Sequence, residues 1–280
     1  EKRPGGSYTN YLNYLLGRKP STTGTGTTYR YDLSSSSTIF STTYSYNKGA
    51  WVVHMLRHVL GDEKFFATLA AYRNQFGGSG ADTENFRSLC ELTAQLEPDS
   101  LNWFFNQWIY NAGYPHYRYG WEQEQIGTQN WVRLHIEQFQ KTQVSSFPNA
   151  MKMPIDITIN TAGGSRTHVV WNDATGSGTT VREWFLLPAN GNVTSVQFDK
   201  NTWILRPDPV ATATYVDGPP KVIGSTPAPG QRLPAIPGVQ SISIRFSEAV
   251  TCSDSDFTVT SSRTGSRPFA LSYNPGDYTA

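Results

Sequence analysis

The sequence has few charged residues and no excess of either sign. Only 16% of its 280 residues are charged, whereas an average soluble protein has about 25%. The 23 Lys and Arg residues nearly balance the 22 Asp and Glu residues, which leaves a net charge of +1. A chain this close to neutrality presents no strong field to a polyanion. Binding to nucleic acid or to an anionic membrane surface is therefore not expected.

Cysteine and long apolar runs are also scarce. The two cysteines, Cys90 and Cys252, fall in different predicted domains, so a disulfide framework is not expected. No apolar run approaches the roughly 20 residues that cross a bilayer, so no membrane span is expected. Ser, Thr, Asn, Gln and Tyr supply most of the polarity, which favours an extracellular or periplasmic protein.

The first part of the chain has the spacing of amphipathic helices, because apolar residues recur every three or four positions. Gly61 is a predicted helix stop and Asp82 a predicted N-cap. The predicted helices cover about residues 8–16, 46–60, 65–77, 83–95 and 101–112. Residues 1–113 are therefore interpreted as a helical domain.

After Tyr114 and Pro115 the apolar period changes from 3.6 to 2, which is typical of strands. Strands are predicted over about residues 132–136, 155–159, 168–171, 183–187, 193–198 and 203–205. Residues 114–208 are interpreted as an antiparallel β-sandwich and residues 209–220 as a linker.

Residues 221–280 are predicted to form another β unit. Its best strand has Ile242, Ile244 and Phe246 inward, and further strand material is predicted around Phe257, Val259, Phe269 and Leu271. An immunoglobulin-like sandwich takes roughly 100 residues. This unit is therefore expected to be minimal, or cut before its final strands.

Two histidines four residues apart are the only pair with metal-site spacing. His54 and His58 would lie on one helix face, as in the His-Glu-x-x-His motif of zinc peptidases, but Met55 occupies the position of the glutamate. Hydrogen bonding within a packed helix is the favoured interpretation of this pair. A structural metal in a degenerate peptidase is the weaker alternative.

The segment from Tyr44 to Phe66 resembles a known family. It contains Tyr-x-Lys-Gly at Tyr46, Lys48 and Gly49, followed by His-Met-Leu-Arg, Gly-Asp and Phe-Phe. This order is similar to the region downstream of the metal site in the aminopeptidase N-like zinc metallopeptidases, a gluzincin family.

The likeness extends beyond this helix. Phe104 to Trp108, followed by Gly113, Tyr114 and Pro115, resembles the closing helix of that family and its exit into a β-sandwich. The resemblance covers roughly residues 35–207.

The resemblance implies a role for one side chain. The family's Tyr-x-Lys-Gly tyrosine donates a hydrogen bond to the oxyanion that forms as a peptide carbonyl is attacked, and Tyr46 is its equivalent. Tyr44 is the possible confusion of register, but no Lys-Gly follows it at that spacing. Tyr46 is thus the one candidate catalytic residue of this chain.

The resemblance also implies zinc and a peptide substrate for a parent enzyme. The family's zinc ligands and its Gly-x-Met-x-Asn segment precede this tyrosine, and nothing before Tyr46 contains them. The chain is therefore expected to be the C-terminal portion of such an enzyme, to depend on an absent upstream catalytic region, and to bind no catalytic zinc and cleave no peptide alone. The β unit after the sandwich resembles bacterial Ig-like domains of exported proteins.

Together these arguments predict a multidomain α + β fold. Its parts would be the α-helical remainder of a thermolysin-like catalytic domain, an antiparallel β-sandwich and an Ig-like β domain. Without the upstream region, the helices are expected to present a sticky apolar surface. The side chains expected there are Trp51, Phe65, Phe66, Phe104 and Trp108.

The alternative is a non-catalytic module in which the β-sandwiches bind a protein or a glycan. Four tryptophans, Trp121, Trp131, Trp171 and Trp184, could stack on sugars if they were exposed. Packing in the sandwich is the favoured interpretation of each. Clustering on one solvated face would favour binding.

Overall fold

A computed structural model describes residues 7–20, 26–139, 150–173, 180–231, 241–262 and 265–280. Contacts divide the chain into two compact units, residues 1–125 with 129–216, and residues 126–128 with 217–280. The first unit holds the helices and the larger sheets around a common apolar core. The predicted mixture of helices and antiparallel sheets is confirmed, while the predicted domain boundaries stay predictions.

The helical part begins and ends its elements at the residues that local chemistry favours. Gly61 ends a helix with φ at 76°, a conformation that costs glycine little. The Asp82 carboxylate accepts the Asn85 N–H at 2.7 Å and so caps the helix that follows. The helices are α1 (Tyr8–Leu16), α2 (Ser36–Ile39), α3 (Gly49–Leu60), α4 (Asp62–Phe76), α5 (Thr83–Thr93) and α6 (Asn102–Phe105).

Two π-helical turns adjoin these helices, one (Thr42–Lys48) directly before α3 and one (Asn106–Tyr110) directly after α6. Apolar periodicity does not reveal a π-turn, so the sequence predicts ordinary helix over the second turn and only from about residue 46 onward in the first. None of the described helices has the length and apolar character to cross a membrane.

Seven strands follow in the same unit: β1 (His116–Ile126), β2 (Gln129–Phe139), β3 (Met153–Thr161), β4 (Gly164–Asn172), β5 (Thr180–Ala189), β6 (Val193–Phe198) and β7 (Ala211–Thr212). One sheet has the order β5-β2-β1-β7 and the other β4-β3-β6. Leu134 of β2 lies opposite Phe185 of β5, and Ile157 of β3 lies between His168 and Phe198. These pairs are antiparallel, whereas β1 and β7 run parallel.

The alternating residues that predicted β2 and β3 form the core between the two sheets. Their apolar side chains are all buried: Val132, Leu134, Ile136, Ile155, Ile157 and Ile159. The hydroxyl of Tyr119 on β1 donates to the Val196 carbonyl of β6 at 3.0 Å and so joins the sheets. The period-2 pattern is confirmed for both strands.

The predicted strand at 203–205 is wrong. The N–H groups of Trp203 and Ile204 donate to the Asp199 carboxylate at 2.7 and 3.2 Å, and the Leu205 N–H points to the Met55 sulfur at 3.4 Å. The segment is apolar because it is buried. Since its amides bind side chains, it needs no neighbouring strand.

Part of the predicted linker lies along the edge of a sheet. β7 pairs with β1, the Ala213 N–H donates to the Tyr119 carbonyl at 2.8 Å, and the Val216 N–H donates to His135 Nδ1 at 3.1 Å. Gly120 makes this approach possible, since a Cβ there would lie 2.7 Å from the Ala213 oxygen. Residues 211–216 are therefore hydrogen-bonded to the sheet, although most of their side chains are exposed.

The expectation of an exposed aromatic surface is wrong for four of its five side chains. Trp51, Phe65, Phe104 and Trp108 are buried within the first unit. They share a core with α1 and with both sheets, which cover the helices. Phe66 is partly buried against the same core.

The second unit contains short strands: β8 (Val222–Thr226), β9 (Ser243–Phe246), β10 (Thr260–Ser261) and β11 (Gly265–Ser266). β8 pairs with β9 and β10 with β11, both antiparallel. Ile242 is exposed and precedes β9, and the predicted strand residues Phe257, Val259, Phe269 and Leu271 lie outside strands. The strand predicted with Ile242, Ile244 and Phe246 is confirmed over Ser243–Phe246, whereas the strands predicted around the other four residues are wrong. Each predicted segment is too short to distinguish a strand from an extended loop.

Candidate functional site

The candidate site is the π-turn that carries Tyr46. Ser41 begins it, because its hydroxyl accepts the Tyr44 N–H at 3.3 Å and its carbonyl accepts the Tyr46 N–H at 3.3 Å. The Gly49 N–H then donates to the Tyr46 carbonyl and joins the turn to α3. π-turns inside helices are frequent at functional sites.

The side chains of Tyr46 and Lys48 lie in different environments, one in solvent and the other in the protein interior. The Tyr46 side chain is 57% exposed, whereas Lys48 is only 3% exposed. Among the described residues, none forms a hydrogen bond with the Tyr46 phenol. Its O–H group is therefore available to donate to a bound molecule.

The Lys48 ammonium is held by two carbonyls from distant parts of the chain. Its Nζ donates to the Gly26 oxygen at 3.1 Å and to the Asn111 oxygen at 2.9 Å. Burial lowers the pKa of Lys48 to about 8. No carboxylate in the described part of the chain forms an ion pair with it.

Tyr44 has a different environment from Tyr46. It is half-buried, and the Arg30 guanidinium lies 5.4 Å from its ring centroid. Gly26 approaches the same ring so closely that a Cβ there would lie 2.2 Å from it. Because Tyr44 packs and Tyr46 faces solvent, the geometry favours Tyr46 as the residue that meets a ligand.

His54 is fully engaged in packing. Its Nδ1 lies 2.8 Å from the Tyr11 hydroxyl and its Nε2 lies 3.0 Å from the Thr202 carbonyl. The ring stacks on Trp203 with centroids 4.7 Å apart. Burial lowers the pKa of His54 to about 4, so the imidazole is neutral at pH 7.

His58 packs beside it. Its ring also stacks on Trp203, with centroids 4.8 Å apart, and its Nε2 lies 3.4 Å from an Asp156 carboxylate oxygen. Burial lowers the pKa of His58 as well. The favoured interpretation of the pair, a packed helix face, agrees with these contacts. A metal on this pair does not, because both nitrogens of His54 already have partners.

The described residues do not fit a catalytic zinc ion. Among them, no three His, Cys, Asp or Glu side chains come together in a group that could hold a metal. The spacing of His54 and His58 is that of a zinc motif, but the Tyr11 hydroxyl and the Thr202 carbonyl already occupy both nitrogens of His54.

An apolar cavity of about 570 Å³ lies beside the helices. Val53 of α3 and Leu69 of α4 line it and are exposed, and Phe86 of α5 and Phe104 lie deeper. Sequence reasoning missed this cavity and the burial of Lys48. The one signal for the latter was that Lys48 directly precedes an apolar helix face.

The tryptophans proposed for glycan binding do not share one surface. Trp171 is exposed on β4, which belongs to the three-stranded sheet. Trp131 and Trp184 lie on β2 and β5 of the other sheet, and Trp184 Nε1 donates to the Val216 carbonyl at 2.9 Å. Trp121 packs against the core. This arrangement favours packing for three of the four.

Comparison with known proteins places the π-turn inside a family match. Residues 28–108 match the Peptidase family M1 domain. Aminopeptidase N of Lactococcus lactis subsp. cremoris is 35% identical over 80 residues, 28% of this chain and 9% of that protein. The segment that matches the family model is residues 28–108. It contains Tyr46, Lys48, Gly49 and all of α3, α4 and α5.

Two further proteins resemble the chain. Aminopeptidase M1-A of Oryza sativa subsp. japonica is 40% identical over 74 residues, 25% of this chain and 8% of that protein. The solved structure of Legionella pneumophila aminopeptidase A in complex with aspartic acid has a TM-score of 0.44 and 13% identity, and covers 65% of this chain and 19% of that one. The chain spans less than a tenth of the length of the curated relatives that it matches.

Proposed function

We propose that this chain is the C-terminal portion of a zinc-dependent aminopeptidase and contributes Tyr46 to its active site. The observation that carries the proposal is the Tyr46 phenol, which is exposed at a π-turn within the segment that matches the family model. The parent enzyme would hydrolyse peptide bonds next to a free amino terminus.

The chemistry of Tyr46 suits a developing oxyanion. A phenol keeps its proton at pH 7, so it offers a neutral donor when negative charge forms on a carbonyl oxygen. The donor acts without prior reorganisation if its backbone is fixed, and the bonds from Ser41 and Gly49 fix this turn. Removing one such donor typically lowers kcat by about 100- to 1,000-fold.

Zinc enters the proposal only through the family. The described residues hold no group for it, and residues 1–280 contain no His-Glu-x-x-His motif. The metal ligands and the groups that bind the free amino terminus would belong to the parent enzyme outside this chain. The isolated chain is therefore proposed to be inactive.

The test uses the protein made from the whole reading frame that contains this chain. Hydrolysis of an aminoacyl anilide is measured for wild type, Tyr46→Phe and the matched control Tyr44→Phe. Tyr46→Phe is expected to lower kcat by about 100-fold or more, with KM within twofold, while Tyr44→Phe retains most activity. No hydrolysis by wild type, or equal kcat values for wild type and Tyr46→Phe, would reject the proposal.

The runner-up is a non-catalytic module that binds a protein or a glycan. Only Trp171 among its four tryptophans is strongly exposed, at 43%. A glycan array on the purified chain tests it directly. Saturable binding that Trp171→Ala abolishes would favour this alternative over the peptidase.

Two finer points belong to the same proposal. Residues 221–280 would be a bacterial Ig-like appendage, and the parent would be extracellular or periplasmic. Fractionation of the source cells, with antibody to this chain, tests the location.

A further inference from the structure

Lys48 is a buried cation without a counterion among the described residues. Removing a charged amine from water costs several kcal/mol unless strong partners replace the water. Its partners are two neutral carbonyls, and burial lowers the pKa of Lys48 to about 8. The hydrogen bonds to these two carbonyls are therefore what replaces water around the ammonium group.

The two carbonyls define what the lysine connects. Gly26 precedes it by 22 residues, and Asn111 follows it by 63, just past the second π-turn. The chain near Gly26 is tied to that same π-turn, because the Tyr29 N–H donates to the Ile109 carbonyl at 3.0 Å. The Lys48 ammonium therefore connects the π-turn of Tyr46 to the segments at Gly26 and Asn111. The Tyr29–Ile109 hydrogen bond also connects these two segments to each other.

The location of this junction bears on Tyr46. Lys48 is the last residue of the π-turn and lies two residues after Tyr46. The exposed phenol has no hydrogen bond with a described residue, so its position depends on the backbone of its turn and not on a bonded neighbour. Ser41 anchors the start of that turn, and Lys48 anchors its end.

We propose that Lys48 is a positioning residue, which holds the π-turn so that the Tyr46 phenol points at the reacting carbonyl. This inference rests on the proposed function. In this proposal, Lys48 affects kcat by positioning Tyr46. This effect is separate from any contribution of Lys48 to the stability of the fold.

The test is a double-mutant cycle in the protein from the whole reading frame, with kcat, KM and Tm measured for each variant. Lys48→Met is expected to lower kcat at least 10-fold, with KM within twofold, and to lower Tm because the Gly26 and Asn111 carbonyls lose their donor. In the Tyr46→Phe background the same substitution is expected to change kcat by less than twofold. Lys64→Met, which alters an exposed lysine of α4, is the matched control and should retain wild-type kcat.

The outcomes separate the two claims. If Tyr46→Phe has wild-type kcat, the proposed function fails. If Tyr46→Phe is impaired but Lys48→Met has wild-type kcat, or lowers kcat equally in both backgrounds, the role of Lys48 is overturned. If Lys48→Met does not fold, Lys48→Gln, which retains two N–H donors, replaces it in the same cycle and is judged by the same criterion.

Discussion

The burial of His54 predicts a specific loss of stability in mild acid. Its pKa is about 4 in the folded chain, because burial disfavours the imidazolium, and about 6.5 in the unfolded chain. Since the unfolded state binds the proton more tightly, the free energy of unfolding is fully retained above pH 6.5 and falls as the pH drops toward 4. Between pH 7.5 and pH 5.0 this group alone accounts for a loss of about 2 kcal/mol.

His54→Gln isolates this contribution. The glutamine amide can accept from Tyr11 and donate to the Thr202 carbonyl, as the neutral imidazole does. It does not titrate. The variant loses the stacking on Trp203, which lowers stability equally at every pH. The pKa of Asp199 is raised to about 6, so protonation of Asp199 increases the free energy of unfolding as the pH falls. This contribution is the same in both proteins.

Urea unfolding followed by tryptophan fluorescence measures the effect. All eight tryptophans lie between residues 51 and 203, so the signal reports the first unit alone. Wild type is expected to lose about 2 kcal/mol more than His54→Gln between pH 7.5 and 5.0. Equal losses for the two proteins would refute the argument that His54 is buried in its neutral form.

Three other substitutions test the packing that surrounds the site. Gly49→Ala should raise the free energy of unfolding by about 0.5–1 kcal/mol, because a Cβ there meets only Thr28 at an ordinary 3.7 Å and alanine favours helix. Gly120→Ala should lower it by about 1–3 kcal/mol, since its Cβ would press on backbone oxygens that follow β7. Asp199→Ala should cost about 3 kcal/mol, because Arg206 and two backbone N–H groups lose a buried partner. Urea unfolding at pH 7.5 measures the free energy of unfolding of all three variants. The packing described would be contradicted if Gly120→Ala raised this free energy, if Gly49→Ala lowered it, or if Asp199→Ala left it unchanged.

Much of the first unit follows from local sequence rules. Gly61 and Asp82 mark helix ends because their chemistry acts on neighbouring amides. The alternation in β2 and β3 reveals strands because the face of each that lies between the sheets is apolar, whereas the opposite face is polar. These signals need no knowledge of distant residues.

The failures occur where distant residues decide the structure. Residues 203–205 have the composition of a strand, but the Asp199 carboxylate and Met55 take their amides. β1 was not predicted because its alternation is carried by Tyr117 and Tyr119 and fades into polar residues toward its end.

The same limit applies to the candidate site. The Tyr-x-Lys-Gly pattern locates Tyr46, yet it does not reveal that Lys48 is buried. That burial depends on the carbonyls of Gly26 and Asn111, which are remote in sequence. The π-turn is equally invisible to periodicity, since the widened turn spans only residues 42–48.

Binding of a tetrahedral inhibitor tests the role of Tyr46 most directly. A phosphinic peptide mimics the oxyanion of the transition state, whereas an uncleaved substrate analogue does not, so only the former should require the phenol donor. In the protein from the whole reading frame, Tyr46→Phe is expected to lower the affinity for the phosphinic peptide by about 100-fold. The affinity for the substrate analogue should stay within twofold of wild type. Equal affinities of wild type and Tyr46→Phe for the phosphinic peptide would contradict the assignment of Tyr46 as the oxyanion donor.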